Sequence, residues 1–191
     1  MVILNSHFSQ RSSPTEEEAI EVKAFVDLYN VSPATLKSEE HFECLPINGG
    51  CAIWLPSAPA MGLNRVLGLN SVNDLEEAYG WMNGKSGNRF LQVNMDRAPA
   101  GTKDWILAKG LLEYGVGWAK LVCDGPSANL SEPNSIRTRL VHVEEAVLFG
   151  TMVCKGFNFP STLTRLWSAI VGKVGWSCFF ALDGENPVGT A

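Results

Sequence analysis

The window Arg65-Val-Leu-Gly-Leu-Asn-Ser-Val-Asn-Asp74 sets an arginine, a glycine and small polar residues where a strand would hand over to a helix. A helix N-terminus presents unpaired backbone N–H groups and partial positive charge, and a glycine lets a diphosphate come close to the backbone. Arg65, Gly68, Asn70 and Ser71 lie at this junction. Asp74, Glu76 and Glu77 follow at once, where their charge would repel a diphosphate. The alternative is a plain strand, a glycine turn and a helix capped by Asn73.

Other groups capable of chemistry are poorly placed for it. Glu144 and Glu145 are adjacent at an expected helix start, which suits partners of the helix dipole better than a general base. Ser161 and Ser168 lack the G-x-S-x-G context of a hydrolase nucleophile. Gly115 and Gly117 lie between a helix and a strand, the reverse of a nucleotide loop. The cysteines, Cys44, Cys51, Cys123, Cys154 and Cys178, form no C-x-x-C pair, and His7, His41 and His142 are far apart. Neither a disulfide framework nor a metal is expected, and the cysteines read as small core hydrophobes. Trp54, Trp81, Trp105, Trp118, Trp167 and Trp176 fall inside expected helices and strands and read as core packing rather than as a ligand pocket. No catalytic residue is assigned.

The balance of charge narrows the partners. With 15 Lys+Arg against 20 Asp+Glu the chain carries −5, and it has no basic run that would neutralise a phosphate backbone, so nucleic acid is not expected. No apolar stretch is long enough to span a bilayer, and Met1-Val-Ile-Leu lacks the basic flank and length of a signal peptide. A cytoplasmic protein with no membrane partner is the expectation.

Stepping along the chain, residues 1–14 read as a polar arm. Ser13-Pro-Thr-Glu16 reads as a capping box opening a helix whose apolar stripe is Ala19, Ile20, Val22, Val26 and Tyr29. Cys44 to Pro56 is strand material broken by a turn at Asn48-Gly-Gly50, and Leu63 to Leu69 is a further strand. A helix from Asp74 fades at Asn83-Gly84; a strand at Arg89–Met95, a helix from Thr102 to Tyr114 and a strand at Val116–Cys123 follow. Residues 124–138 are rich in Gly, Pro, Ser and Asn and form the linker. A second cycle has a strand at Arg139–Val143, helices at Glu144–Gly156 and Ser161–Val171, a strand at Trp176–Leu182, a turn at Asp183-Gly184 and a strand at Pro187–Ala191. Its helices are expected to bury Val147, Leu148, Met152, Leu163, Leu166 and Ile170. The fold class is α/β, or mixed α+β, with a central mixed sheet flanked by helices.

The closing segment Trp176-Ser-Cys-Phe-Phe-Ala-Leu-Asp-Gly-Glu-Asn-Pro-Val-Gly-Thr-Ala191 resembles a hairpin of the GCN5-related N-acetyltransferase (GNAT) superfamily, in which Ala181, Asp183, Gly184, Pro187, Val188 and Gly189 match the pattern. The resemblance covers residues 139–191. By element order, residues 15–123 look like a degenerate copy of the same fold, with Leu63–Leu69 in the place of the cofactor strand. The resemblance implies a tandem protein: a degenerate GNAT-like domain at 15–123, and at 139–191 the truncated start of a second.

From that resemblance follow an activity and a cofactor. It implies the N-terminal portion of an acyl-CoA-dependent acetyltransferase, moving an acetyl group from acetyl-CoA to an amine on a small molecule or peptide. The family's phosphate cradle is Gln/Arg-x-x-Gly-x-Gly/Ala, so the resemblance makes Arg65, Gly68, Asn70 and Ser71 the candidate cofactor-binding residues, although Arg65-x-x-Gly68-x-Asn70 departs from the pattern at the last position. Acetyl-CoA would then be bound mainly by residues beyond Ala191, and this chain alone would be inactive. The alternative is a non-catalytic binding or homo-dimerisation module with a GNAT-like fold.

Overall fold

The computed structural model describes residues 1–7, 14–95, 98–114, 118–119 and 136–191. The chain divides into two compact units: unit 1 comprises residues 1–29 and 40–122, and unit 2 residues 30–39 and 123–191. The expected helix cap at Ser13, most of the linker, most of the strand ending at Cys123, and Cys123 itself lie outside the described residues.

The elements run β1 (Val2–His7), α1 (Pro14–Val31), α2 (Ala34–Glu39), β2 (Glu43–Ile47), β3 (Gly50–Trp54), β4 (Asn64–Leu67), α3 (Val72–Asn83), β5 (Phe90–Val93), α4 (Thr102–Ala108), β6 (Leu112–Glu113), β7 (Trp118–Ala119), β8 (Ile136–Leu140), α5 (Ala146–Phe157), α6 (Thr164–Ser168), β9 (Phe179–Asp183) and β10 (Asn186–Thr190). The architecture is mixed α/β, with a mixed sheet in unit 1 and a separate three-stranded sheet in unit 2.

Unit 1 is built on the order β2-β3-β4-β5-β1-β6, with β7 also pairing with β1. The β2–β3 and β3–β4 pairs are antiparallel, whereas β4–β5, β5–β1 and β1–β6 are parallel. Strands β3, β4 and β5 are buried along their whole length; β3 reads as a continuous apolar run, while β4 and β5 carry the buried polar residues Asn64, Arg65 and Gln92 among apolar ones. Ala52, Trp54, Val66, Leu91 and Val93 pack with Leu75, Ala78 and Met82 of α3 and Trp105 and Ile106 of α4. On the opposite side, Cys51 and Leu67 pack with Val22, Phe25 and Val26 of α1.

Residues 2–7, expected as part of an arm, are a strand. Their parallel partners, β5 and β6, are remote in sequence, and no local pattern announces them. Helix α1 starts at Pro14 as the sequence suggests, but Ile20 is 70% exposed and the inward stripe shifts to Val22, Phe25 and Val26. Helix α4 stops at Ala108 and not at Tyr114, because Gly110 adopts φ +64° and the Leu111 amide bonds back to the Ile106 carbonyl, a left-handed helix stop. Leu112, expected on that helix, lies instead in β6.

Unit 2 carries the antiparallel sheet β10-β9-β8. Strand β8 begins at Ile136, inside the expected linker, and the long expected helices each open with a short 3-10 turn before α5 and α6. Helix α5 closes on Asn158 at φ +54°, just past the expected end. Phe149, Val153, Leu163, Leu166 and Ile170 are buried with Phe180 and Leu182, while Val147 and Leu148, expected to be buried, are exposed. Helices α5 and α6 approach so closely that a Cβ on Gly150 would lie 2.4 Å from the Thr164 carbonyl oxygen.

Candidate functional site

Arg65 sits in the middle of β4 with 1% of its surface exposed. A guanidinium in that position needs partners, since an isolated buried charge costs many kcal/mol. Glu21 of α1 and Gln92 of β5 supply them: one guanidinium nitrogen donates to the Glu21 carboxylate, the other to the Gln92 side-chain oxygen. The Gln92 amide donates to the second Glu21 oxygen at 3.3 Å, and the Phe25 ring lies 4.6 Å beneath the guanidinium carbon. Arg65 is thus engaged on three sides within unit 1.

Gly68, Asn70 and Ser71 do fall together on that loop. Gly68 has φ +74°, and a Cβ there would lie 2.5 Å from Cγ2 of Val22 and 3.1 Å from the Gly50 Cα. Its missing side chain makes room for α1 and the β2–β3 turn. Asn70 is exposed. Ser71, and not the expected Asn73, is the N-cap of α3: its hydroxyl accepts from the Asp74 amide at 3.1 Å.

The helix N-terminus already carries an anion. Asp74 is buried in the first turn of α3, and its carboxylate accepts from the Asn48 side-chain amide at 2.6 Å. The Ser71 hydroxyl and then the Asn48 amide hold the Asp74 carboxyl below its usual range. A diphosphate approaching this end of α3 would meet a carboxylate that has taken up the nearest donors. Of the other acids expected to oppose it, Glu76 turns toward α4, accepting from the Trp105 indole at 2.7 Å and from Lys109 at 2.6 Å, while Glu77 is exposed. Lys109 first, then Trp105, keeps the Glu76 carboxyl low.

Trp54 and Trp105 are buried and Trp81 is half-buried, each with a cationic partner, Lys109 lying 5.9 Å from the Trp105 ring. Lys85 lies 4.8 Å from the Trp54 ring and 4.5 Å from the Trp81 ring, and pairs with Glu43 at 2.6 Å. In unit 2, Trp167 stacks on Phe159, which stacks on Phe157. A cleft of about 270 Å³ in unit 1 is lined by Pro56, Ala58, Asn64, Asn88 and Phe90, with no charged side chain among its walls. Asn64 there spends its amide on its own loop, accepting from Leu55 and donating to Ala58 and Ala60.

In unit 2 the adjacent glutamates part company. Glu145 receives both guanidinium nitrogens of Arg139, at 2.6 and 2.7 Å, and the His142 amide at 3.1 Å. These contacts, the Arg139 bond foremost, lower its carboxyl to about 2, far from the range of a general base. Glu144 is exposed. Ser168 donates its hydroxyl to the Thr164 carbonyl at 2.8 Å within its own helix. Among the described residues no three His, Cys, Asp or Glu side chains gather as a metal would require, and no helix is long and apolar enough to cross a membrane.

Sequence reasoning missed Glu21, Gln92 and Asn48. The signal for the first two was a lone arginine inside the apolar run Leu63–Leu69, which a buried strand can hold only against an acid from another element. Comparison of the chain with protein-family models, with curated proteins and with solved structures finds no match.

Proposed function

We propose that the chain is part of an acyl-CoA-dependent N-acetyltransferase, with unit 1 as a companion that does not itself hold the cofactor. The observation that carries this reading is a repeat. A strand, two helices and an antiparallel hairpin closed by a two-residue turn run from β1 to β3 and again from β8 to β10. The turns are Asn48-Gly49 and Gly184-Glu185, and the second lies one residue later than Asp183-Gly184. The copies differ in one respect: β8 pairs with β9, whereas β1 leaves β2 at the sheet edge and pairs with β5. A degenerate copy accommodates such a change. The Asp74 carboxylate on α3 supports the companion role, and the acceptor would be an amine on a small molecule or peptide.

Isothermal titration of acetyl-CoA into the 191-residue chain and into the complete product of its gene tests this, coupled to release of the CoA thiol with a panel of amines. Saturable binding and thiol release by the complete product, with no binding by unit 1, is the expected result. No binding by either overturns the acetyltransferase reading, and binding at the Gly68–Ser71 loop overturns the companion role.

A second reading, a non-catalytic binding or dimerisation module, is favoured by the exposure of Leu107, Leu112 and Tyr114 around α4 and β6. Sedimentation over a range of concentrations tests it: self-association abolished by Leu107→Asp supports the module, and a strictly monomeric profile opposes it.

A further inference from the structure

Cys44 and Cys51 lie on neighbouring strands of the β2–β3 hairpin. The register pairs Cys44 with Ile53 and Pro46 with Cys51, so the two cysteines stand on one face of the pair, displaced along a diagonal. The right-handed twist of a two-stranded ribbon draws one such diagonal together. Both belong to the cluster that packs on α1. Their exposure differs: Cys51 is fully buried, whereas Cys44 is half-buried on an edge strand.

We propose that Cys44 and Cys51 form a peroxide-reactive thiol pair, with Cys44 the site of attack and Cys51 the resolving thiol. The Cys44 thiol gives up its proton and the thiolate attacks one oxygen of hydrogen peroxide; the O–O bond breaks, a sulfenic acid forms, and the leaving hydroxide takes up that proton as water. The Cys51 sulfur then attacks the Cys44 sulfur, the S–O bond breaks, and the leaving hydroxide takes the Cys51 thiol proton and departs as a second water. Overall, two thiols and one peroxide become one disulfide and two waters.

The environment divides these roles. Cys44, half-buried on the edge strand, is the sulfur that a peroxide from solvent meets first, while Cys51 is fully buried behind it. Contact with Cys51 lowers the Cys44 thiol against the opposing effect of burial. Cys154 and Cys178 of unit 2 are buried with thiols raised by burial, and serve as internal controls.

The test needs no variant to begin with. The chain is exposed to a small excess of hydrogen peroxide, quenched, unfolded in urea, alkylated with iodoacetamide and digested with trypsin. One tryptic peptide, from Ser38 to Arg65, holds both cysteines. It should escape alkylation and weigh about 2 Da less than its dithiol form, and dithiothreitol should restore both alkylation sites. Cys154 and Cys178 should remain alkylated. In Cys51→Ser, Cys44 should stop at the sulfenic acid and take up a single dimedone adduct. Full alkylation of the Ser38–Arg65 peptide at doses that oxidise Cys154 or Cys178 overturns the proposal. So does a sulfinic acid on Cys44 with Cys51 still alkylated.

Discussion

The side-chain amide of Asn48, in the turn between β2 and β3, donates to the carboxylate of Asp74 in the first turn of α3, 2.6 Å away. One hydrogen bond thus ties a hairpin turn to the start of a helix and fixes the loop between them. Asn48 can do this because it tolerates φ +40°, a left-handed conformation that most side chains resist.

Replacing Asn48 by glycine keeps the turn and removes the donor. Asp74 is depressed in the folded protein, so its contribution is present above the unfolded carboxylate range near about 4 and is lost as pH falls through the lower folded value. The urea midpoint of Asn48→Gly should therefore fall below that of the parent at neutral pH, and the two curves should converge as pH falls through the lowered folded value. A constant difference across the acid range would mean that Asp74 is not the partner that matters. Asn48→Ala should be less stable than Asn48→Gly, because alanine keeps the strained turn without the bond.

Arg65→Ala should cost about 3–5 kcal/mol in urea unfolding, because it leaves the Glu21 carboxylate and Gln92 facing a buried gap. Arg65→Met and Glu21→Gln should each destabilise on their own, while the double variant should lose less than these two single changes added together. Strict additivity in that cycle would show that the two side chains do not act as a pair.

Gly68→Ala meets two obstacles, the left-handed backbone and Cγ2 of Val22 at 2.5 Å. A loss of about 2–4 kcal/mol follows, from about 1–2 for the backbone and the rest from overpacking. Val22→Ala in the same chain should restore the second part only. Gly50→Ala should be worse, because its Cβ would sit 2.6 Å from the Leu67 carbonyl oxygen, which belongs to the β3–β4 ladder and cannot turn aside. The thermal midpoints of the three variants give the comparison.

Acid should loosen unit 2 through Glu145. Its carboxyl is held at about 2, so the Arg139 contact persists through mild acid and is lost as pH falls toward that value from about 4. The amide protection of β8 and α5, followed by hydrogen exchange from pH 5 downward, should decline over that window in the parent. In Glu145→Gln it should start lower and lose this dependence. An unchanged profile in the variant would assign the acid sensitivity elsewhere.

The parts of the fold written locally were legible. Both hairpins announce themselves through Asn48-Gly49 and Asp183-Gly184, and α3 through its apolar spacing and its polar start. The parts set by distant residues were not. The strand Val2–His7 depends on partners at Phe90–Val93 and Leu112–Glu113, and the end of α4 on a glycine five positions before the expected stop at Gly115.

The candidate site divides along the same line. Its loop was read correctly as a strand-to-helix junction, but Arg65 was read as facing that loop, whereas burial and Glu21 turn it into the sheet. Spacing places residues on an element; it does not tell which face a charged side chain will take when an acid waits on a neighbouring helix. The pairing of Cys44 with Cys51 is likewise invisible until the hairpin register is known, because the sequence shows only two scattered thiols.

Strand β1 also governs the order of events on the ribosome. The first strand to emerge finds its partner only when Phe90–Val93 has been made, and its other neighbours later still. The antiparallel set β2, β3 and β4 needs no such wait, since each strand follows the last through a short connection. Unit 1 therefore starts folding from its middle and closes with its N-terminus, a slow step dominated by long loop closure. During synthesis β1 and the edge of β4 that β5 will occupy wait unpaired, and this is where a misdirected strand would engage the nascent chain.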